Sequence, residues 1–251
     1  MQFIFACRSD VGRVHTHNED YIWIDENKGI FIIADGLGGH EAGEKASELT
    51  ATTVGQMISD GLVPGEAPLS TEAVKSLMVR ALEVSNEAVL AAANEEGQKR
   101  KMGATIVVIL VQLPQVYICH AGDARVYLAR EMTLTQITED DSFVAQLVAA
   151  GVISEDEAKT HIYHSVVTKA IGQSPPLEPT FTKLDVVPKD WLLMCSDGLT
   201  DMVNETQIMS VLQAANGDPD YVVNTLTSAA NDAGGKDNIS VIAIRVLADE
   251  D

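Results

Sequence analysis

The sequence predicts an α+β layered sandwich rather than a doubly wound parallel sheet, and three observations carry that prediction. Ten strand-like runs rich in β-branched and aromatic residues recur along the 251 residues. Several are apolar on both faces, as strands buried between two layers are. Helical periodicity falls in a few long blocks and does not alternate with every strand.

In order, the runs are QFIFAC, YIWID, GIFIIA, ATIVVILVQ, QVYICHA, ARVYLAR, LTQIT, FTKLDV, WLLMCS and ISVIAIRV. The joins LVQLPQVY and HAGDARVY read as tight antiparallel connections. Residues 44–59 place apolar side chains at helical spacing, and residues 71–96 do so again with Val74, Leu77, Met78, Ala81 and Leu82 on one face. Thr71 is the expected N-cap of the second block. A third helical stretch covers 141–150 and 155–159, and a fourth covers about 220–231. GLVPGEAP and SPPLEP are the expected exposed loops. With no fixed-period repeat and no low-complexity segment, the length predicts one domain over 1–251.

Hydrophobic residues at 46% and charged residues at 22% suit a globular chain with a sizeable core. A formal charge of -20 argues against a nucleic-acid partner, since phosphate backbones are bound by Lys and Arg. Cations or basic protein segments fit this surface better. Cys7, Cys119 and Cys195 each lie inside an apolar run without CxxC spacing, which predicts buried reduced thiols. The start MQFIFACRSD is too short in apolar residues for a signal peptide, and no run approaches the ~18 residues of a membrane helix. A cytoplasmic monomer with no membrane contact is expected.

The chemistry sits in acids placed at strand ends. Asp35 follows GIFIIA, Asp123 follows QVYICHAG, Asp197 follows WLLMCS, and Asp237 with Asn238 precedes ISVIAIRV. One Asp-Gly pair alone is more often a turn than a ligand. Four acids brought to one edge would repel, and a divalent cation supplies the missing charge. Oxygen-only donors without a Cys or His cluster select a hard ion, Mg²⁺ or Mn²⁺, over zinc. Gly36 lets its backbone carbonyl approach an ion beside Asp35. Glu19 and Asp20, in GRVHTHNEDY, lie one strand earlier and read either as a polar turn or as further ligands. GLGGHEAGE has P-loop glycine spacing at Gly38 and Gly43, but Glu44-Lys45 occupies the place of Lys-Ser/Thr and rules that reading out. His40, five residues after Asp35 in a Gly-rich turn, is placed for proton transfer.

Taken together, NED, ADGLGGHEAGE, MGAT, AGDARVY, the flap segment beginning LTQITEDDS, SDGLTD and KDNIS resemble, in that order, the metal-dependent Ser/Thr protein phosphatases of the PPM or type 2C family in its compact bacterial form. The resemblance spans nearly the whole chain. It implies a four-layer α-β-β-α sandwich of two antiparallel sheets flanked by helices, with a flap subdomain at about 141–172. It also implies hydrolysis of phosphoserine and phosphothreonine in proteins by direct attack of a metal-activated water. By the same resemblance Asp35 bridges two Mn²⁺ or Mg²⁺ ions, the Gly36 carbonyl holds one, and Asp197 and Asp237 hold the other. Glu19 and Asp20 act through bound waters, and Asp123 with Asp197 matches a third, weaker ion. His40 matches the general acid and His161 a flap position commonly His. Phosphorylated proteins made by a Ser/Thr kinase are the implied substrates.

The chain departs from the pattern at three places. His15 stands where the family has an Arg five residues before the Asp, so phosphate is gripped by a weaker, pH-dependent donor. Arg13, two residues earlier on the same face of an extended strand, is the candidate substitute. Asp141 replaces a common His at the start of the flap, and Ala104 replaces a common Thr or Ser. The lost Arg supports an alternative, a phosphatase-like regulatory binding module with weak or no turnover. A third reading, a sigma-factor-pathway phosphatase, is opposed by the well-formed flap.

Overall fold

In the computed structural model, residues 1–39, 41–63, 65, 67–95, 102–173 and 176–249 are described. Two five-stranded antiparallel sheets face one another. One sheet takes the order β1-β10-β9-β6-β7, from strands Gln2–Asp10 (β1), Ile239–Leu247 (β10), Trp191–Cys195 (β9), Arg125–Arg130 (β6) and Thr133–Gln136 (β7). Its partner takes the order β2-β3-β4-β5-β8, from Asp20–Asp25 (β2), Ile30–Leu37 (β3), Gly103–Gln112 (β4), Gln115–Ala121 (β5) and Thr180–Asp185 (β8). All ten expected runs form strands.

Side-chain alternation sorts each strand between layers. Phe31, Ile33, Val107, Ile109, Ile118, Met194, Ile242 and Ile244 fill the space between the sheets. Ile32, Ala34, Val108 and Cys119 point the other way, onto Glu41–Gly61 (α1) and Thr71–Glu95 (α2). On the opposite sheet Leu193, Cys195 and Val241 pack against Leu212 of α6 (Glu205–Ala214) and Leu226 of α7 (Pro219–Asp232). Strands apolar on both faces, such as GATIVVILVQ, are therefore covered by a sheet on one side and helices on the other. Between β7 and β8 lie two short helices, Phe143–Ala149 (α3) and Glu155–Ala158 (α4), in the predicted flap. Asp197–Thr200 (α5) follows β9 directly.

Several local expectations are corrected. HAGDARVY does not turn a hairpin: β5 and β6 belong to different sheets, and Gly122 at φ 124° carries the chain across. Ser70, not Thr71, caps α2, its hydroxyl accepting from the Ala73 N–H at 3.3 Å. Cys7 is exposed on the edge strand β1, whereas Cys119 and Cys195 are buried thiols as expected. Helix α6 carries no prediction, because ETQIMSVLQA buries only Ile208 and Leu212 and has too few apolar positions to show a stripe. Among the described residues no helix is long and apolar enough to cross a membrane.

Candidate metal centre

The strand ends bring the acids to one rim of the sandwich. Asp20 on β2 and Asp35 on β3 are register partners, and Asp35 in turn faces Thr105 on β4. From the other sheet come Asp197, which follows β9, and Asp237, two residues before β10; Asp123 lies on the crossing between sheets. Strand parity explains the aim. Asp20 and Asp35 share the face of Ile22, Ile24, Phe31 and Ile33, so both carboxylates point between the sheets.

Two polar side chains stitch the sheets together at this rim. The buried Ser196 hydroxyl donates to Asp20 Oδ2 at 2.8 Å and accepts from the Ser240 N–H at 3.0 Å. Asn238 accepts from the Glu19 N–H at 2.7 Å and donates to the Val11 and His17 carbonyls at 2.9 and 3.0 Å. Glycines permit the close approach. A Cβ on Gly36 would stand 2.2 Å from the Gly43 carbonyl oxygen, and one on Gly43 would stand 1.9 Å from Glu19 Oε2. A Cβ on Gly198 would stand 2.0 Å from the Asn238 carbonyl oxygen, so SDG and KDN touch through backbone. The sequence carries no signal for these roles of Ser196 and Gly43: Ser196 directly precedes Asp197, and Gly43 reads only as a P-loop glycine.

The electrostatics mark the rim as unfinished without a cation. Burial, then repulsion from Asp20, Asp197, Asp123 and Asp237, holds the Asp35 carboxyl well above the usual range. Burial and then Asp123, Asp201, Asp237 and Asp20 do the same to Asp197. Asp20 is pushed up to about 6 by burial, against the opposing hydrogen bonds of Ser240 and Ser196. Asp123 is likewise pushed up to about 6, by burial and then by Asp140. Among the described residues no Lys or Arg pairs with Asp20, Asp35, Asp123 or Asp197. One oxygen of Asp20 and one of Asp197 are buried with no hydrogen-bond partner.

These residues fit a hard divalent cation: the donors are all oxygen, two of them are orphaned, and Gly36 brings backbone without a side chain next to Asp35. The same residues do not form a complete cage. Among those described, no group of three or more His, Cys, Asp or Glu side chains could hold an ion unaided. Backbone carbonyl and water must fill the remaining coordination positions, as Mg²⁺ commonly requires.

The other expected residues differ in their relation to the rim. His15 Nε2 stands 3.5 Å from Asp237 Oδ1. Arg13 is exposed, its N–H donating to the Gly235 carbonyl at 2.7 Å. Residues 12–14 form a turn, with Gly12 at φ 79°, so the extended-strand relation expected between Arg13 and His15 is absent. His161 belongs to an aromatic trio in the flap, 6.4 Å from the Phe143 ring and 5.7 Å from the Tyr163 ring. Burial raises the Asp201 carboxyl, and His164, from the segment that holds His161, acts against that rise. His40 lies outside the described residues.

Acids from two facing sheets, gathered between helix layers at one end, define a protein phosphatase of the metal-dependent kind, and the comparisons agree. The protein phosphatase 2C family model matches residues 12–220, and the chain belongs to that family. It is a protein-serine/threonine phosphatase. It is 35% identical over 240 residues to the serine/threonine phosphatase stp of Listeria welshimeri, covering 94% of this chain and 93% of that relative. The Mycobacterium tuberculosis serine/threonine phosphatase PstP/Ppp superposes with a TM-score of 0.86 at 34% identity, over 99% of this chain and 100% of the other. The catalytic domain of PstP in complex with two manganese ions gives 0.84 at 33% identity, over 98% and 99% of the two chains.

Proposed function

We propose that this chain removes phosphate from phosphoserine and phosphothreonine in proteins at the acidic rim, with Mn²⁺ or Mg²⁺ as cofactor. Asp35 and the Gly36 carbonyl, with Asp197 and Asp237, hold two ions. Glu19 and Asp20 act through water, and Asp123 with Asp197 takes a third. The observation that carries this reading is the group of rim carboxylates that repel one another, with one oxygen of Asp20 and one of Asp197 buried without a hydrogen-bond partner. When bound, divalent ions supply a water that ionises near neutral pH and positive charge for the phosphoryl oxygens.

The chain's own groups do the positioning. Ser196 holds Asp20 by one oxygen and leaves the other turned into the site. Asn238 fixes the backbone at Glu19, whose carboxylate lies over Gly43. His15, beside Asp237, and Arg13, on Gly235, are the donors available to a substrate phosphate. His40 is the proton donor to the departing Ser or Thr oxygen. Proteins phosphorylated by a Ser/Thr kinase are the substrates, met by a monomer in the cytoplasm.

Manganese-dependent hydrolysis of an aryl phosphate, abolished in Asp35→Asn and in Asp197→Asn, is the expected result. Bound metal without turnover in the unaltered chain would move the assignment to a binding module.

A further inference from the structure

The far end of the same sandwich carries a charge anomaly of the opposite sign. β6 runs from Arg125 at the acidic rim to Arg130, five residues or about 17 Å away. There a cavity of about 420 Å³ opens between the ends of β6, β9 and β10 and helix α6. Trp191, Met209 and Leu212 give it apolar walls, and Arg130, Lys189 and Arg245 give it three cations. In a chain with 17 Lys and Arg against 37 Asp and Glu, three cations against two carboxylates, Glu131 and Asp190, at one cavity stand out against the overall charge.

One of the three forms an ion pair and two do not. Arg130 forms a two-pronged pair with the buried Asp190 at 3.0 and 2.7 Å. Among the described residues no carboxylate pairs with Lys189 or Arg245. Arg245 is half-buried, lies 4.8 Å from the Trp191 ring centroid and donates to the Lys189 carbonyl. Its position is therefore fixed by stacking and by a backbone contact, and its charge is offset in part by Asp190, which Arg130 already engages.

The backbone points to the same place. Among the described residues three non-glycines have positive φ, Glu131 at 55°, Lys189 at 77° and Asn216 at 51°, and all three line this cavity. Left-handed backbone is uncommon for Glu and Lys, and such positions concentrate at turns and ligand clamps.

We propose that this cavity binds a small amphipathic organic anion, its acid group held by Lys189 and Arg245 and its apolar body lying against Met209 and Leu212. The volume falls within the range of about 300–1,000 Å³ usual for small-molecule pockets. The site is separate from the metal centre and does not depend on it.

The test titrates the full ¹⁵N-labelled chain with 2-naphthalenesulfonate, an amphipathic anion that a phosphatase cannot hydrolyse, and follows both indole N–H signals. Trp191 should shift saturably. Trp23, packed on Gly55 against the other sheet, should not. Arg245→Met should weaken binding at least tenfold. Lys189→Asn, which removes the charge but keeps a residue that tolerates left-handed backbone, should weaken it severalfold, with the same aryl-phosphatase activity in both variants. Unchanged affinity in Lys189→Asn, no shift at Trp191, or equal shifts at both tryptophans would overturn the proposal. So would sodium sulfate binding as tightly as the naphthalene anion, which would leave a bare anion contact. If Arg245→Met fails to fold, Lys189→Asn decides alone.

Discussion

At the residue scale, each rim residue is fixed by an identifiable constraint, and removing the constraint has a sign. A methyl at Gly36 would press on backbone oxygens of Gly43 and Glu19, which cannot give way cheaply. At Gly43 the main obstacle is the Glu19 carboxylate at the end of a side chain, with the Gly36 carbonyl oxygen farther off at 3.2 Å. Gly43→Ala, in the first turn of α1, should therefore leave the melting temperature unchanged or raised, because Ala gains up to about 1 kcal/mol over Gly in a helix. Its manganese affinity should fall as Glu19 is displaced. A thermal melt and a calorimetric titration of one sample check both. Gly36→Ala should instead lower the melting temperature. His15→Arg should lower KM for phosphopeptides with little change in metal requirement, since Arg offers a permanent two-pronged grip; an unchanged or raised KM would place His15 away from the phosphate. Asp35, Asp123, Asp197 and Asp237 were legible in the sequence because each ends or precedes a strand. Ser196 and Gly43 were obscured because their roles depend on contacts with residues 176 and 24 positions away.

At the element scale, the root of the flap is tied to the crossing that carries Asp123. The Asp141 N–H donates to the Gly122 carbonyl at 2.9 Å, and the Gly122 N–H donates to Asp141 Oδ2 at 3.2 Å. Arg125 grips Asp140 through both Nε and Nη2, and Lys169 pairs with Asp141 at 2.7 Å. The family's common His at position 141 could not accept both contacts as a carboxylate does, so this departure comes with its own partner in Lys169. Lys169→Met should loosen the flap while sparing the core. Faster hydrogen exchange over residues 143–167, with the strands unaffected, is the expected outcome. Strands were readable from composition alone because two-sided burial demands continuous apolar runs. The sheet change at AGDAR was not, because a glycine turn between two apolar runs reads the same whether the next strand pairs or crosses.

At the scale of the whole molecule, the proposed metal centre sets stability against catalysis. Asp20 and Asp123, at about 6 in the folded state, lie above the ~3.9 of an unfolded Asp, so their favourable contribution is complete below about pH 4 and is lost as pH rises through about 6. A divalent ion cancels that loss. Manganese should raise the melting temperature more at pH 7.5 than at pH 5.0, and equal shifts at both would count against charge relief at the rim. For the same reason Asp35→Asn should melt higher than the unaltered chain in EDTA while losing activity, a trade of stability for function.

The central claim is that acids from two facing sheets meet around divalent ions. Anomalous diffraction at the manganese edge from crystals grown with Mn²⁺ tests it most directly. Two strong peaks are predicted, both within bonding distance of Asp35, one also touching the Gly36 carbonyl and the other Asp197 and Asp237. A well-ordered rim with no peak beside Asp35 would contradict the claim.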